Sequence, residues 1–275
     1  MKSILFIFGI VLLGFNTQTR AQADLMINPN RVVFDDSKQR EEISLVNMGK
    51  DTATFSITFV QRKMKEDGSF EALAKPEPGQ MLAEPYVRVY PRHVTLAPGE
   101  PQLIVLQYRR QAGMAPGEYR SHLYFRAEPT EKPVEGIQGE SKPDLLIINL
   151  NPIYGITIPV IIRIGQGIAG ATLSDIKLNN QESAPTLQFT INRSGNLSTY
   201  GDLTVEYNTT FGRTYRVGYV KGVGVYTNLN KRQIAIKLNA PSGNPLKNGT
   251  LKIRYANVED SRRPVVYTEG TLDIK

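Results

Sequence analysis

The sequence contains no cysteine, so neither disulfide bonds nor cysteine-ligated metals can stabilise its 275 residues. Tryptophan is also absent, and the only two histidines, His93 and His122, lie in separate strand-like segments. A His/Cys metal cluster is therefore excluded, and we do not expect a two-histidine site. The nucleotide-binding glycine motifs and the serine-nucleophile motif are missing as well. We expect no metal, no other cofactor and no catalytic residue.

Charged residues do not form the groupings that catalysis or nucleic-acid binding requires. The pairs 35–36 (Asp-Asp) and 41–42 (Glu-Glu) are adjacent in the chain, so they lie in turns or point to opposite faces of a strand. The formal net charge is +7, and it is spread along the sequence without a dense block of Lys and Arg. This distribution predicts neither an enzyme nor a nucleic-acid-binding protein.

Long apolar runs are scarce, and the clearest one, residues 4–15, is short for a membrane span of ~20 residues. Lys2 precedes it and an Ala-Gln-Ala sequence at 21–23 follows it. This order is typical of a cleaved secretory signal peptide, which we assign to residues 1–23; an uncleaved anchor is the alternative. Export without disulfides favours the bacterial periplasm, and no stable membrane insertion is expected.

Short runs of alternating apolar and polar residues recur along the chain, separated by Gly, Pro, Asn and Asp. The period of two predicts β-strands, and no window of a dozen residues has helical periodicity. Many short strands in succession predict an all-β fold of β-sandwich domains, with Tyr119 forming a tyrosine corner. The predicted strands include residues 43–47, 53–60, 86–90, 103–108, 122–125, 186–191, 203–207, 233–238, 251–255 and 265–268.

Two breaks in this pattern predict the division into domains. Residues 127–144 are polar and rich in Pro and Gly, which predicts a mobile loop. Glycines at 165, 167 and 170 mark a boundary, giving domains at 24–165 and 166–275. The Gly-Val-Gly sequence at 222–224 is interpreted as a bend.

Residues 145–163 have the strongest alternation in the chain. Every even position from Leu146 to Ile162 is apolar or aromatic, so a strand here would have one apolar face. Pro152 and Pro159 cannot donate ladder hydrogen bonds, which favours an edge strand or a bulge. A long apolar edge is an aggregation hazard in a free protein, and one explanation is that a partner pairs with it. The alternative is that the apolar face fills its own domain's core.

Four segments of the first half carry recognisable motifs: 31–34 (RVVF), 90–102 (YPRHVTLAPGEPQ), 117–125 (GEYRSHLYF) and 154–163 (YGITIPVIIR). In this order, they resemble motifs of the PapD-like periplasmic chaperones of pilus assembly. The resemblance covers residues 24–165, whereas residues 166–275 agree with the family only in their strand pattern. It implies two Ig-like β-sandwich domains set at an angle. It also implies pilin-type secreted subunits as partners, and an outer-membrane usher as a possible further one.

The resemblance also implies how such a subunit would be bound. The last strand of the first domain would complete the subunit's unfinished sandwich, a mode in which main-chain bonds give affinity and alternate side chains fill pockets. The preceding loop, 127–144, would become ordered in the complex. The residues that we expect to be donated are Leu146, Ile148, Leu150 and Tyr154.

The same resemblance implies roles for individual charged residues. Arg31 matches an arginine that grips the subunit's terminal carboxylate, a group whose two oxygens a guanidinium can bond together. The lysine that assists it in the family falls on Pro159, which cannot replace an ammonium. Arg163 matches an arginine at the domain junction, and its acidic partner on the preceding strand falls on Arg120.

Two other functional classes stay open at this stage. A structural or adaptor protein of the cell envelope would use the same scaffold without donating a strand. A secreted carbohydrate-binding or hydrolytic sandwich protein would need an acid-lined, aromatic cleft, which the lack of Trp and of paired carboxylates disfavours.

Overall fold

The computed structural model describes residues 25–129, 154–179, 185–241, 246–258 and 264–275. These residues form seventeen β-strands and one short 3-10 helix, Glu84–Tyr86. The predicted signal peptide, most of the 127–144 segment, and Leu146, Ile148 and Leu150 lie outside the described residues. None of the helical structure within those ranges is long and apolar enough to cross a membrane.

The first half of the chain folds into two sheets. One sheet has the strand order β1-β3-β8-β6, and the other has the order β2-β10-β9-β4-β5, with β7 also paired to β4. All pairs in these sheets are antiparallel except β2 with β10, which is parallel. The strands are β1 (Leu25–Asn28), β2 (Val32–Phe34), β3 (Arg40–Asn47), β4 (Ala53–Met64), β5 (Phe70–Leu73), β6 (Val87–Tyr90), β7 (His93–Leu96), β8 (Pro101–Tyr108), β9 (Gly117–Ala127) and β10 (Gly155–Ile164).

The second half forms two further sheets, of order β11-β12-β15 and β14-β13-β16-β17. Every predicted strand of this half overlaps an observed one, so the all-β prediction with sandwich domains is confirmed. The strands are β11 (Gly170–Asn179), β12 (Thr186–Ser194), β13 (Thr199–Thr209), β14 (Thr214–Val225), β15 (Lys231–Lys237), β16 (Gly249–Asn257) and β17 (Val265–Ile274).

Side-chain alternation along the strands explains how the two sandwiches bury their cores. On β8, Ile104 and Leu106 are fully buried, whereas Leu103, directly before Ile104, is 51% exposed. Successive side chains of a strand point to opposite faces, so one face packs inward and the other meets solvent. The two main cores are separate: the first ends at Ile164 and the second begins at Ala171. The boundary at residue 165 stays a proposal, which this division supports.

In each core, at least one buried tyrosine donates its hydroxyl to a backbone carbonyl. Tyr119 donates to the carbonyl of Ala115 at 3.0 Å, a bond back to the backbone just upstream, as expected for a tyrosine corner. In the second core, Tyr255 is fully buried and donates to the carbonyl of Val223 at 2.8 Å.

The interpretation of residues 222–224 as a bend was wrong, because they lie within β14. Gly222 has φ +69, and its amide donates to the Asp202 carboxylate at 2.9 Å. The register of β13 against β14 shifts between Gly201 and Leu203, the irregularity that a bulge produces. A single left-handed glycine thus permits the bulge without ending the strand.

Candidate functional site

Strand β10 presents an open edge over its first half. Its inner edge pairs with β9 along the whole strand, from Gly155 to Ile164. Its outer edge pairs with β2 only at Val160, Ile161 and Ile162. Among the described residues, no strand pairs with the outer edge from Gly155 to Pro159. The backbone groups along that edge are therefore positioned to accept an added strand.

The apolar face of β10 changes from buried to partly exposed along this open half. Ile158, Val160 and Ile162 are at most 2% exposed and belong to the first core, as the alternative explanation of the alternation expected. Ile156 and Tyr154, in contrast, are 40% and 43% exposed. The apolar side chains at even positions are therefore buried in the core at one end of the strand and partly exposed to solvent at the other. Ile156 was not among the residues expected to be donated, although it also occupies an even position.

Pro159 lies in the middle of β10, opposite His122 of β9, with no register shift on either side. It is therefore accommodated by an edge position and not by a bulge, because an edge strand can leave the outward donor unused. Val160 pairs with Val32 in the parallel ladder, which places Arg31 next to Pro159 along the β2 side.

Arg31 is buried against the second domain. It is 7% exposed, and its guanidinium carbon lies 4.3 Å from the centre of the Tyr200 ring. This is within the range of a cation–π contact. The Tyr200 ring therefore covers one planar face of the Arg31 guanidinium.

The face of the sheet that looks toward the second domain is rich in cations. Arg120 is 7% exposed, and its guanidinium carbon lies 4.0 Å from the centre of the Tyr226 ring. Burial lowers the pKa of the Arg120 guanidinium and raises the pKa of the Tyr226 hydroxyl. Ile161 of β10 packs in the same small apolar cluster as Tyr226.

His122 is also buried in this face, at 3% exposure. Its side chain is covered by Phe70 of β5, whose ring lies 5.4 Å away in an edge-on arrangement. Burial, helped by the charges of Arg120 and Arg62, lowers the pKa of His122 to about 3. The imidazole is therefore neutral at physiological pH.

An ion pair between a partly exposed arginine and a fully buried carboxylate connects β9, β10 and the second domain. Arg163 donates to the Glu118 carboxylate at 3.2 Å and to the carbonyl of Ser198 at 3.1 Å. The hydroxyl of Ser198 donates to the same carboxylate at 2.7 Å. The placement of the acidic partner at Arg120 was therefore wrong. Glu118 occupies that role because it lies directly opposite Arg163 in the ladder.

The hairpin between β4 and β5 makes a second connection between the domains. The amide of Gln233 donates to the Glu66 carbonyl at 2.7 Å, and Asn228 donates to the Met64 carbonyl at 2.9 Å. Arg120 in turn donates to the Asn228 side-chain oxygen at 2.8 Å. The tip of the hairpin and the loop after β14 are thus held together by backbone and side-chain bonds.

The described residues contain no group of three or more His, Cys, Asp or Glu side chains that could hold a metal ion. The Arg163–Glu118 pair at the contact between the domains is held by hydrogen bonds to Ser198. The open outer edge of β10 is therefore the feature of this site that is suited to binding a partner.

No family model and no curated protein matches the sequence. Solved structures do resemble the chain, and they include pilus and fimbrial chaperones, the family that the four motifs resemble. The YadV chaperone has a TM-score of 0.43 and 13% identity, covering 91% of this chain and 100% of that chain. The CupB2 chaperone of Pseudomonas aeruginosa has a TM-score of 0.41 and 12% identity, covering 90% and 99%.

A complex of the CsuC chaperone with the CsuE tip subunit, from Acinetobacter baumannii, has a TM-score of 0.42 and 13% identity, covering 90% of this chain and 99% of that chain. Identities and TM-scores at this level do not establish that the present chain shares the function of these proteins. The function must therefore be inferred from the geometry of the chain itself.

Proposed function

We propose that this protein is an exported, non-enzymatic chaperone of the periplasm that binds pilin-type subunits by lending them the outer edge of β10. One observation carries the proposal: the first half of β10 has an open outer edge, and the apolar side chains of Ile156 on this half and of Tyr154 just before the strand are partly exposed to solvent. An edge of this kind is unfavourable in a free protein and becomes useful when a partner pairs with it.

The chemistry of strand addition fits this edge. Main-chain hydrogen bonds would supply ~0.5–1.5 kcal/mol each, and alternate side chains would select the partner by filling its pockets. Ile156 is 40% exposed, so burying the rest of it would contribute about 1 kcal/mol. In the sequence, the same even-numbered alternation continues backwards through Leu150, Ile148 and Leu146, which we retain as proposed donor residues.

The proposal does not depend on a grip on the subunit's carboxylate. Arg31 is covered by Tyr200, and Pro159 beside it provides no ammonium group. Arg31, whose guanidinium has one face covered by Tyr200, stays a proposed contact for the subunit's terminal carboxylate. The open edge therefore provides the main contact, and an outer-membrane usher stays a proposed second partner.

Arg163 is proposed to fix the relation between the two domains. It contacts Ser198 of the second domain while it pairs with Glu118 of the first. The periplasmic location is supported by the signal-peptide pattern of residues 1–23, since export without cysteine favours that compartment.

The test is capture of partners by the tagged protein from periplasmic extract, followed by mass spectrometry. Ile156→Asp and Tyr154→Asp would place a charge on the proposed donor face. Leu103→Asp is the matched control, because Leu103 is 51% exposed on the other sheet of the same domain.

We expect the unaltered protein and Leu103→Asp to recover small β-rich secreted subunits. The donor-face variants should bind them at least about tenfold more weakly, since each loses an apolar contact and would bury an unpaired carboxylate against the partner. If folded Ile156→Asp and Tyr154→Asp keep every partner, strand donation is wrong. An adaptor protein on the same scaffold would then explain the retained partners.

A further inference from the structure

The outer face of the sheet β1-β3-β8-β6 carries apolar residues side by side, as the ladder registers show. Val46 of β3 pairs with Met26 of β1 on one side and with Pro101 of β8 on the other. Tyr90 of β6 pairs with Val105 of β8. Paired residues point to the same side of a sheet, and so does every second residue along a strand. The six apolar residues on this side, hereafter the outer patch, are Met26, Val46, Tyr90, Pro101, Leu103 and Val105.

The outer patch faces solvent. Tyr90, Leu103 and Met26 are 77%, 51% and 49% exposed, whereas Val89 and Ile104, their neighbours along the strands, are buried in the core. The outward face of an antiparallel sheet is normally polar. Single exposed apolar residues are ordinary, but contiguous apolar surface on a folded protein is a mark of an interaction site.

The second domain shows the ordinary arrangement. On the outer face of the sheet β14-β13-β16-β17, residues of opposite charge lie next to each other across the strands, and Lys252 and Glu269 form an ion pair at 2.9 Å. This contrast shows that an apolar outer face is not a general property of the chain. The charged residues of that face include Glu206, Arg216, Lys252, Arg254 and Glu269.

Two exposed charged residues lie at opposite ends of the outer patch. Arg88 of β6 pairs with Gln107 near the end of β8, whereas Glu100 directly precedes β8. Within the described ranges, neither Arg88 nor Glu100 forms an ion pair, while Arg40 and Glu42 on the same face pair with each other. The face therefore has an uncompensated positive charge at one end, an uncompensated negative charge at the other, and apolar surface between them.

We propose that the outer patch is the interface of a homodimer, in which two copies pack this face against each other with their strands antiparallel. A two-fold axis that crosses β8 near Leu103 would bring the two apolar patches together. It would also place Arg88 of each subunit near Glu100 of the partner subunit. Sheets pack face to face at a spacing of ~10 Å with interdigitated side chains, and a two-fold contact needs only one self-complementary patch.

The charges on the face favour a second copy over a lipid surface. Anionic head groups would be attracted to Arg88 but repelled by the carboxylates of Glu42 and Glu100. A second copy of the face has no such conflict, because its positive end meets the negative end of the first. The proposal is independent of strand donation, since β10 belongs to the other sheet of the domain.

The experiment is sedimentation equilibrium of the purified protein from about 1 to 200 µM, a range that includes weak interfaces. We expect the mass to rise with concentration from one subunit to two. Leu103→Asp should raise the dissociation constant of the dimer at least about tenfold, because each subunit would bury a carboxylate at the interface. Ile156→Asp is the matched control, because it makes the same kind of change on the other sheet and should leave the dissociation constant unchanged.

A second test fixes the orientation of the two subunits without altering an apolar residue. Arg88→Glu and Glu100→Lys should each raise the dissociation constant at least about threefold, because like charges would then face each other. An equimolar mixture of the two variants should associate as tightly as the unaltered protein, because both contacts again join opposite charges. Variants that are weakened but not rescued by mixing would overturn the antiparallel arrangement.

Three other outcomes would overturn the interface. They are a protein that stays monomeric throughout the range, a dimer that folded Leu103→Asp leaves intact, and a dimer that Ile156→Asp dissociates. The last result would mean that copies pair through the β10 edge. A monomer that sediments with phosphatidylglycerol vesicles, and loses this binding on Leu103→Asp, would assign the patch to lipid instead. Capture of subunits by Leu103→Asp should be unchanged, so this proposal and strand donation fail separately.

Discussion

The buried imidazole of His122 makes a quantitative prediction about stability and pH. The side chain is 3% exposed under the Phe70 ring, and its Nε2 has no hydrogen-bond partner among the described residues. Burial, with Arg120 and Arg62 nearby, lowers its pKa from 6.5 to about 3. In the unfolded chain the same group titrates near its ordinary pKa, so protonation favours the unfolded state.

The sign and size follow from linkage. A group whose folded-state pKa is depressed, and which must be neutral to be buried, stabilises the fold fully above the unfolded pKa. That stability is lost as the pH falls from 6.5 toward about 3. Each pH unit below 6.5 costs about 1.4 kcal/mol, so His122 should remove about 2 kcal/mol between pH 7 and pH 5.

The assay is urea unfolding at pH 7 and pH 5, with the free energy of unfolding extrapolated to water. His122→Leu should abolish about 2 kcal/mol of the decrease that the unaltered protein undergoes between these pH values. His93→Leu is the control, because it removes the only other histidine, whose side chain is 70% exposed. If the unaltered protein and His122→Leu lose the same stability, the imidazole is not buried as a neutral group.

Two further predictions concern backbone geometry and a single hydrogen bond. Gly68 has φ +82, and an added Cβ would lie 2.2 Å from Nη2 of Arg232, whereas Gly79 has φ +78 with nothing near its Cβ position. Gly79→Ala should therefore cost only the left-handed strain of ~1–2 kcal/mol in thermal unfolding. Gly68→Ala should cost more, because the Arg232 guanidinium would have to move from its bond to the Gly224 carbonyl; equal losses would mean that Arg232 moves aside without cost. Tyr119→Phe should lower the free energy of urea unfolding by ~0.5–1.5 kcal/mol through loss of the bond to Ala115, and an unchanged value would mean that this bond contributes nothing.

Much of the fold could be predicted from the sequence because the strands carry a strong period of two. The predicted runs 103–108 and 251–255 lie within β8 and β16, where buried and exposed side chains alternate. β14 was missed because its glycines weaken the strand pattern. A glycine inside a strand and a glycine in a bend look alike in a sequence, and only the neighbouring strands distinguish them.

The candidate site was predictable only in part. The apolar residues at even positions within 154–164 identified the apolar face of β10, and the prolines indicated an edge strand. The exposure of Ile156 and the burial of Ile158 could not be predicted. The alternating pattern identifies the apolar face of a strand but not how far along the strand that face is buried in the core.

The sequence by itself determined the local properties: the strand pattern, the apolar face, the edge position of Pro159 and the lack of metal-binding cysteine. The tertiary structure decided which charges meet. Glu118, and not residue 120, pairs with Arg163 because the β9–β10 register places them opposite each other. Arg31, Arg120 and His122 are buried because the second domain and the β4–β5 hairpin cover them. Such contacts join residues far apart in the chain, and no local pattern specifies them.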